Sequence, residues 1–359
     1  MALRFLHTSD VHLGRSFRYL GERAPTHQQR LKQALERVYQ IAQEQKCNAV
    51  LIAGDLFDHP RVGREWVDFA LNLMAAASCP TLVIAGNHDP AERHPFRERT
   101  SLPQKLHFFA STERKRLPAL EMEVVACPAG DESRWQAVLR RDPNGAPYQI
   151  ALIHGSMPSA GEGTIPVSTV RQCGLDYVAL GDWHSPQDFS HELGVPCWYS
   201  GAPEMIMPAQ RLPAVALLVE LHDSQPPQIT PLPTGSARYP TESREDGTLE
   251  IALEAFDSPQ SLLEALAAHL QETTVARIRL VGRWHADTPL DPDALQESLQ
   301  SRCLWLEIDP AFQSAPLAPQ TPFERALTQV YEARKAQGAP STLDEAYQLA
   351  LYLLRGGRL

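Results

Sequence analysis

One recurrence constrains this chain more than any other: five short apolar runs, each closed by a side chain able to hold a cation. FLHTSD, AVLIAGD, TLVIAGN, IALIHG and YVALGD deliver Asp10, Asp55, Asn87, His154 and Asp182. His12 follows in TSDVH, and His184 in LGDWH. Near-continuous apolar runs are the pattern of strands buried on both faces of a largely parallel sheet. Open sheets of that kind bind ligands beyond the carboxyl ends of their strands. Five strand ends therefore bring Asp, Asn and His to one rim, a composition suited to metal.

The residue types favour two ions over one. Carboxylate, amide and imidazole are hard or borderline ligands, suited to Mn, Fe, Zn or Mg. Seven candidates exceed the roughly four ligands of a tetrahedral zinc site. Two ions about 3.5–4 Å apart can clamp the attacking and leaving oxygens of a phosphoryl displacement. No CxxC occurs to suggest a thiolate site. Taken singly, each residue has a plainer reading, with Asp10 as a helix cap or Asp55 as a turn residue. The ordered set is what argues for metal.

TSDVHLG, AGDLFD, AGNHD, HG and GDWH, in this order, resemble the calcineurin-like metallophosphoesterases. YVALGDWHSPQ followed by WYSGAPE is similar to the SbcD-type DNA repair exonuclease subunits within that family, and the resemblance spans residues 4–205. It implies a two-layered β-sandwich flanked by helices, a four-layer α/β/β/α fold, with a small α/β capping domain that selects the form of DNA. It implies that Asp10, His12 and His184 hold one ion, that Asn87, His154 and Asp182 hold a second, and that Asp55 bridges them. His88 falls at the family's catalytic histidine, with Asp89 expected to orient its ring. Histidine suits proton transfer because imidazole exchanges its proton near neutrality. The family usually carries His where this chain has Asp182. The harder oxygen there predicts a shift toward Mn or Mg, or a weakened second site. Arg15, Asp58, His59 and Arg61 follow the first two motifs and are the candidate substrate contacts; for Asp58 and His59, which lie just beyond Asp55, support of the metal ligands is the equal alternative.

Composition sets bounds. At 359 residues and 43% hydrophobic content, the chain has room for one large domain and one or two small ones. The expected division is a dinuclear phosphoesterase domain over 1–235, the capping module over 245–310, and C-terminal helices over 320–359. Cys47, Cys79, Cys127, Cys173, Cys197 and Cys303 show no spacing pattern and read as reduced, buried thiols of a cytoplasmic protein. No apolar stretch approaches a membrane span. A net charge of −10 argues against a generally basic DNA-binding face. Bound cations, and arginines clustered after the first three motifs, offset that objection.

Apolar spacing predicts helices over 28–46 and 63–78. Strands are expected at 119–127, 148–154, 196–200 and 214–221, with a helix over 132–140. In the resembled family, the region after the second motif helps to form a homodimer, but the Val67, Leu71 and Met74 stripe is equally what core packing produces. Residues 223–247, rich in Pro, Ser and Thr, read as an irregular connection with one short strand. A strand–helix–strand–helix–strand alternation follows, its first helix starting at Ser258–Pro259. The tail holds two helices, the last with Ala346, Leu349, Ala350, Leu353 and Leu354 on one side. In the resembled family such helices dock on the coiled-coil root of an SMC-like ATPase; packing onto the chain's own domain is the other reading. The function expected is metal-dependent DNA hydrolysis, against a small-substrate phosphodiesterase or phosphatase, or a catalytically weakened scaffold.

Overall fold

The computed structural model describes residues 2–158, 163–223, 225–284, 290–314, 319–338, 340 and 342–355. The chain divides into two compact units, Met1–Ala237 and Arg238–Leu359. Unit 1 opens with β1 (Ala2–Thr8), α1 (Ala24–Glu44), β2 (Ala49–Ile52), α2 (Arg64–Ala76), β3 (Thr81–Ile84) and β4 (Leu106–Phe109). Next come β5 (Glu113–Leu117), β6 (Met122–Cys127), α3 (Glu132–Val138), β7 (Tyr148–His154), α4 (Val167–Arg171) and β8 (Tyr177–Gly181). It closes with β9 (Gln187–Asp188), α5 (Ser190–Leu193), β10 (Cys197–Tyr199), β11 (Val215–His222) and β12 (Gln225–Pro233).

These strands form two six-stranded sheets, ordered β12-β11-β1-β2-β3-β4 and β5-β6-β7-β8-β10-β9. Strand periodicity explains how they stack. Side chains alternate between faces, so each motif strand feeds two apolar layers. In β7, Ile150 and Leu152 join Phe5, Leu51, Leu82 and Leu217 in the core between the sheets. Ala151 and Ile153 point the other way, into a second core with Trp135, Leu139 and Val170 from the α3 and α4 region. On the far side of the first sheet, α1 buries Leu31, Leu35, Val38 and Ile41 on one stripe, and α2 buries Val67, Ala70 and Met74. This is the layered α/β/β/α arrangement the sequence led us to expect.

Buried His7 ties the two sheets together. Its ring nitrogens lie 3.0 Å from the Tyr177 hydroxyl and 3.1 Å from the Leu180 carbonyl. Burial pushes its pKa down to about 3, so it acts as a neutral crosslink. All six cysteines are free and buried.

One expectation needs correction. Residues 225–233 are not part of an irregular connection with a short strand; they form nine-residue β12, paired antiparallel along β11. Four prolines hid it. They are tolerated because β12 is an edge strand, with only one side to hydrogen-bond.

Unit 2 holds a parallel three-stranded sheet: β13 (Thr248–Ala252), β14 (Val275–Trp284) and β15 (Trp305–Ser314). The connecting helices are α6 (Pro259–Ala268) and α7 (Pro292–Leu299). Ser258 caps α6 in a capping box with Ser261, and Asp291 caps α7. Leu262, Leu266, Ile278, Leu280, Leu295 and Leu299 form its core. Two more helices follow, α8 (Pro322–Ala336) and α9 (Thr342–Leu354). They meet through the stacked rings of Tyr331 and Tyr347 at 4.1 Å, and through Glu324 with Arg355 at 3.0 Å. The face of α9 named from sequence is not the buried one. Tyr347 and Leu351 are buried, while Leu349, Leu353 and Leu354 are exposed. Aromatic stacking on α8 selected the rotation of α9, which a count of aliphatic residues could not anticipate.

Among the described residues, no helix is long and apolar enough to cross a membrane. Leu152 is fully buried between the sheets. Replacing it with Ala should cost about 2–5 kcal/mol of stability, read as a shifted urea midpoint. An unchanged midpoint would contradict the packing described here.

Candidate metal centre

Every motif residue sits at or just beyond the carboxyl end of a strand. Asp10 and His12 follow β1, Asp55 follows β2, Asn87 follows β3, His154 ends β7, and Asp182 and His184 follow β8. The first three strands belong to one sheet and the last two to the other, so the rim forms only because the sheets stack. Backbone bonds lock the loops together. Asp10 N–H donates to Gly54 O at 3.1 Å, and His12 N–H to Asp55 O at 3.0 Å. Asp182 N–H lies 3.2 Å from both carboxylate oxygens of Asp10, which joins the sheets at the site itself.

The local backbone is unusual. Asp10, His12, Asp55 and Asp182 all have positive φ (53°, 51°, 52° and 110°). Such conformations are uncommon for residues with a Cβ and cluster where a site over-determines them. The loops are also packed too closely for larger residues. A Cβ on Gly86 would collide with the Asp55 carboxylate, and one on Gly54 with the His154 ring.

Three overlapping groups emerge in which each member offers a ligand atom within 4.8 Å of the others. They are Asp10, His12 and His184; His12, Asp55 and His88; and Asp10, Asp55 and His154. Asp55 belongs to two of them: its Oδ2 lies 3.6 Å from both His12 Nε2 and His154 Nε2. Asn87 Oδ1 is 3.0 Å from His154 Nε2, and Asp182 Oδ1 is 3.9 Å from the same nitrogen. All seven expected residues are therefore brought together. His12 Nε2 is fully buried and has no hydrogen-bond partner. A buried imidazole nitrogen left open toward a carboxylate is costly unless a cation completes it.

Outer contacts aim the rings. His12 Nδ1 lies 3.1 Å from the Asp58 carboxylate, and His154 Nδ1 is 2.7 Å from the Ala53 carbonyl. Both leave Nε2 facing the centre, the usual way a protein presents a metal-binding histidine. His88 Nδ1 is 3.0 Å from the Asp58 carbonyl, and its ring packs edge-on against His12 at 4.6 Å.

Some assignments change. Asp89 does not orient His88. Its carboxylate accepts from Phe57 N–H (3.0 Å) and Gly86 N–H (2.8 Å) and lies 3.2 Å from His94, so it holds the β2 and β3 loops together. His94, fully buried, is a supporting residue that no motif revealed. Asp58 is engaged by His12 (3.1 Å) and by Arg15 (3.0 Å), which gives it an orienting role toward the His12 ring. Arg15 also donates to the Ile206 carbonyl at 3.1 Å. His59 and Arg61 do face open space, in a cleft of about 670 Å³ shared with Arg93 and Arg97.

The electrostatics follow from burying carboxylates and imidazoles side by side. Burial, with Asp89 and Asp10 nearby, raises the Asp55 carboxyl to about 6, although His154 and His12 pull the other way. Burial disfavours the charged form of His154, yet Asp55, Asp10, the Ala53 carbonyl and Asp182 carry it up to about 9. Burial lowers His184 to about 4, so it is neutral already.

Cation binding must displace the His154 proton below about pH 9, and a second proton from Asp55 below about 6. Manganese affinity should therefore fall by roughly tenfold per pH unit between pH 8 and 6.5, and more steeply below 6. Calorimetry in buffers of different ionisation enthalpy should record proton release; a flat profile would refute the assignment. Gly86→Ala, by displacing the Asp55 carboxylate, should weaken binding by about 10–100-fold. Wild-type affinity in that variant would sink the close-packing argument.

Residues 3–186 match the calcineurin-like phosphoesterase family. The chain is 26% identical over 229 residues to the DNA double-strand break repair protein Mre11 of Methanopyrus kandleri, covering 56% of this chain and 49% of that protein. It is 41% identical over 91 residues to the SbcD component of the nuclease SbcCD of Escherichia coli, covering 24% and 21%. Against the Mre11 of Haloferax volcanii, identity is 26% over 301 residues, covering 80% and 63%. The chain thus spans about half or less of the first two relatives. With more than half of its length matched and the ligand-bearing loops converging as described, the chain belongs to the calcineurin-like phosphoesterases.

Proposed function

We propose that this protein is a metal-dependent DNA phosphodiesterase, a nuclease of the SbcD and Mre11 kind. The buried Nε2 of His12, which makes no hydrogen bond and lies 3.6 Å from the Asp55 carboxylate, carries the metal part of the reading. Asp10, His12 and His184 would hold one ion and Asn87, His154 and Asp182 the other, with Asp55 placed to serve both. Three carboxylates and an amide oxygen beside three imidazoles, with no thiolate, favour Mn or Mg over Zn. Divalent ions bound there supply charge neutralisation and an acidified water for in-line attack on phosphorus.

The chain's own residues handle the rest. His88 is exposed at the rim. With Nδ1–H donating to the Asp58 carbonyl, its Nε2 is free to carry a proton to the departing sugar oxygen. Asp58 orients His12 through its side chain and His88 through its backbone, so one residue positions two rings. Asp89 maintains the loop spacing on which both depend. His59, Arg61, Arg93 and Arg97 line the neighbouring cleft together with Glu92 and Glu98, and its three guanidinium groups suit a phosphate backbone. DNA is the substrate, and a coiled-coil ATPase of the SMC type is the partner this reading brings with it, in the cytoplasm. The names of the relatives, a DNA double-strand break repair protein and a nuclease subunit, support the choice over other phosphoesters.

The purified chain with Mn should degrade linear DNA. His88→Ala should slow cleavage by about 10²–10⁴-fold while leaving manganese binding close to wild type. Hydrolysis of nitrophenyl phosphates or cyclic nucleotides without DNA cleavage would point to a small-substrate phosphatase. Failure to cleave any of them would point to a scaffold.

A further inference from the structure

Among the described residues of unit 1, the large apolar side chains left open to solvent are Tyr19, Trp183 and Met207, at 45%, 56% and 36% exposure. They are not scattered. Trp183 stands between Asp182 and His184 on the loop leaving β8. That loop is bonded to the segment carrying Met207: Ala202 N–H donates to His184 O at 3.0 Å, and Arg211 N–H to Ser185 Oγ at 2.9 Å. The Tyr19 hydroxyl donates to Ile206 O at 3.2 Å, the same oxygen that receives Arg15 Nε. Arg15 in turn holds Asp58, which orients His12. All three exposed side chains therefore lie on segments hydrogen-bonded to the metal rim.

An indole left open beside a cation site is a poor arrangement for stability and a good one for a flat ligand. Next to a phosphodiester the available flat ligand is a nucleobase. Within a duplex the base faces are already stacked on their neighbours, whereas an unpaired base offers its face. Base–aromatic stacking is tolerant of sequence, as a general nuclease requires.

We propose that Trp183 is a stacking platform for an unpaired nucleobase flanking the phosphate at the metal rim, with Tyr19 and Met207 extending the apolar margin. Single-stranded or frayed DNA ends are then the preferred substrate, a refinement that rests on the nuclease reading above. Indole stacking also separates base recognition from the backbone contacts of the arginine cleft.

The test uses the full chain in a His88→Ala background with Mn, so that cleavage is suppressed. Binding of a fluorescent oligothymidylate is compared with that of an abasic oligomer of equal length. The base-bearing oligomer should bind about tenfold more tightly. Adding Trp183→Ala should erase the difference, and adding Trp183→Phe should retain most of it. Because Trp183 is exposed, the thermal midpoint should stay unchanged. Equal binding of the two oligomers, or a difference that survives Trp183→Ala, overturns the platform while leaving the nuclease reading intact. If neither oligomer binds, the nuclease reading fails and takes this proposal with it.

Discussion

The structure depends on the burial of two carboxylates, Asp10 and Asp55, at the meeting point of two sheets. Each is almost fully removed from solvent. Burying charge is expensive unless it is paired and hydrogen-bonded. Asp10 takes the Asp182 N–H, Asp55 takes the His88 N–H at 2.9 Å, and His154 stands opposite both. These contacts bind the β1, β2, β3 and β8 loops into one rigid rim. Burial first, and the neighbouring carboxylates after it, make Asp55 resist ionising, while Asp55, Asp10 and Asp182 hold the proton on His154 against its own burial. A divalent cation is the partner such a cluster of buried carboxylates and imidazoles is suited to.

The loops accept strain in order to converge. Four of the seven candidate ligands adopt positive φ, and two glycines stand where any Cβ would strike a ligand. Such strain persists only where surrounding contacts enforce it. Asp89 is one enforcer, linking the Phe57 and Gly86 amides across two loops. Asp58 is another, serving His12, Arg15 and His88 together.

Much of this was legible in the residues themselves. An apolar run ending in Asp, His or Asn is visible because a strand buried on both faces must be apolar throughout, and its polar terminus has to be there for a reason. Ser258 and Asp291 were legible as helix starts, since capping is a local bargain. What failed was non-local. β12 was hidden by prolines that only an edge position forgives. For α9 the residues left open what covers its apolar stripe; a tyrosine stack with α8 buries a different face and leaves Leu349, Leu353 and Leu354 exposed. The resemblance made Asp89 a partner for His88, but its carboxylate is taken up by the Phe57 and Gly86 amides and by His94.

The linear order of residues, by itself, determined which side chains would be delivered to strand ends, and therefore the class of chemistry, because that follows from periodicity and side-chain type. Only the tertiary structure decided which delivered groups meet. Separation along the chain carries no information about distance across a sandwich: Asp182 reaches Asp10 over 172 positions, and His154 reaches Ala53 over 101. Division of labour among ligand, orienting group and loop tie is therefore a property of how two sheets stack, which no single segment encodes.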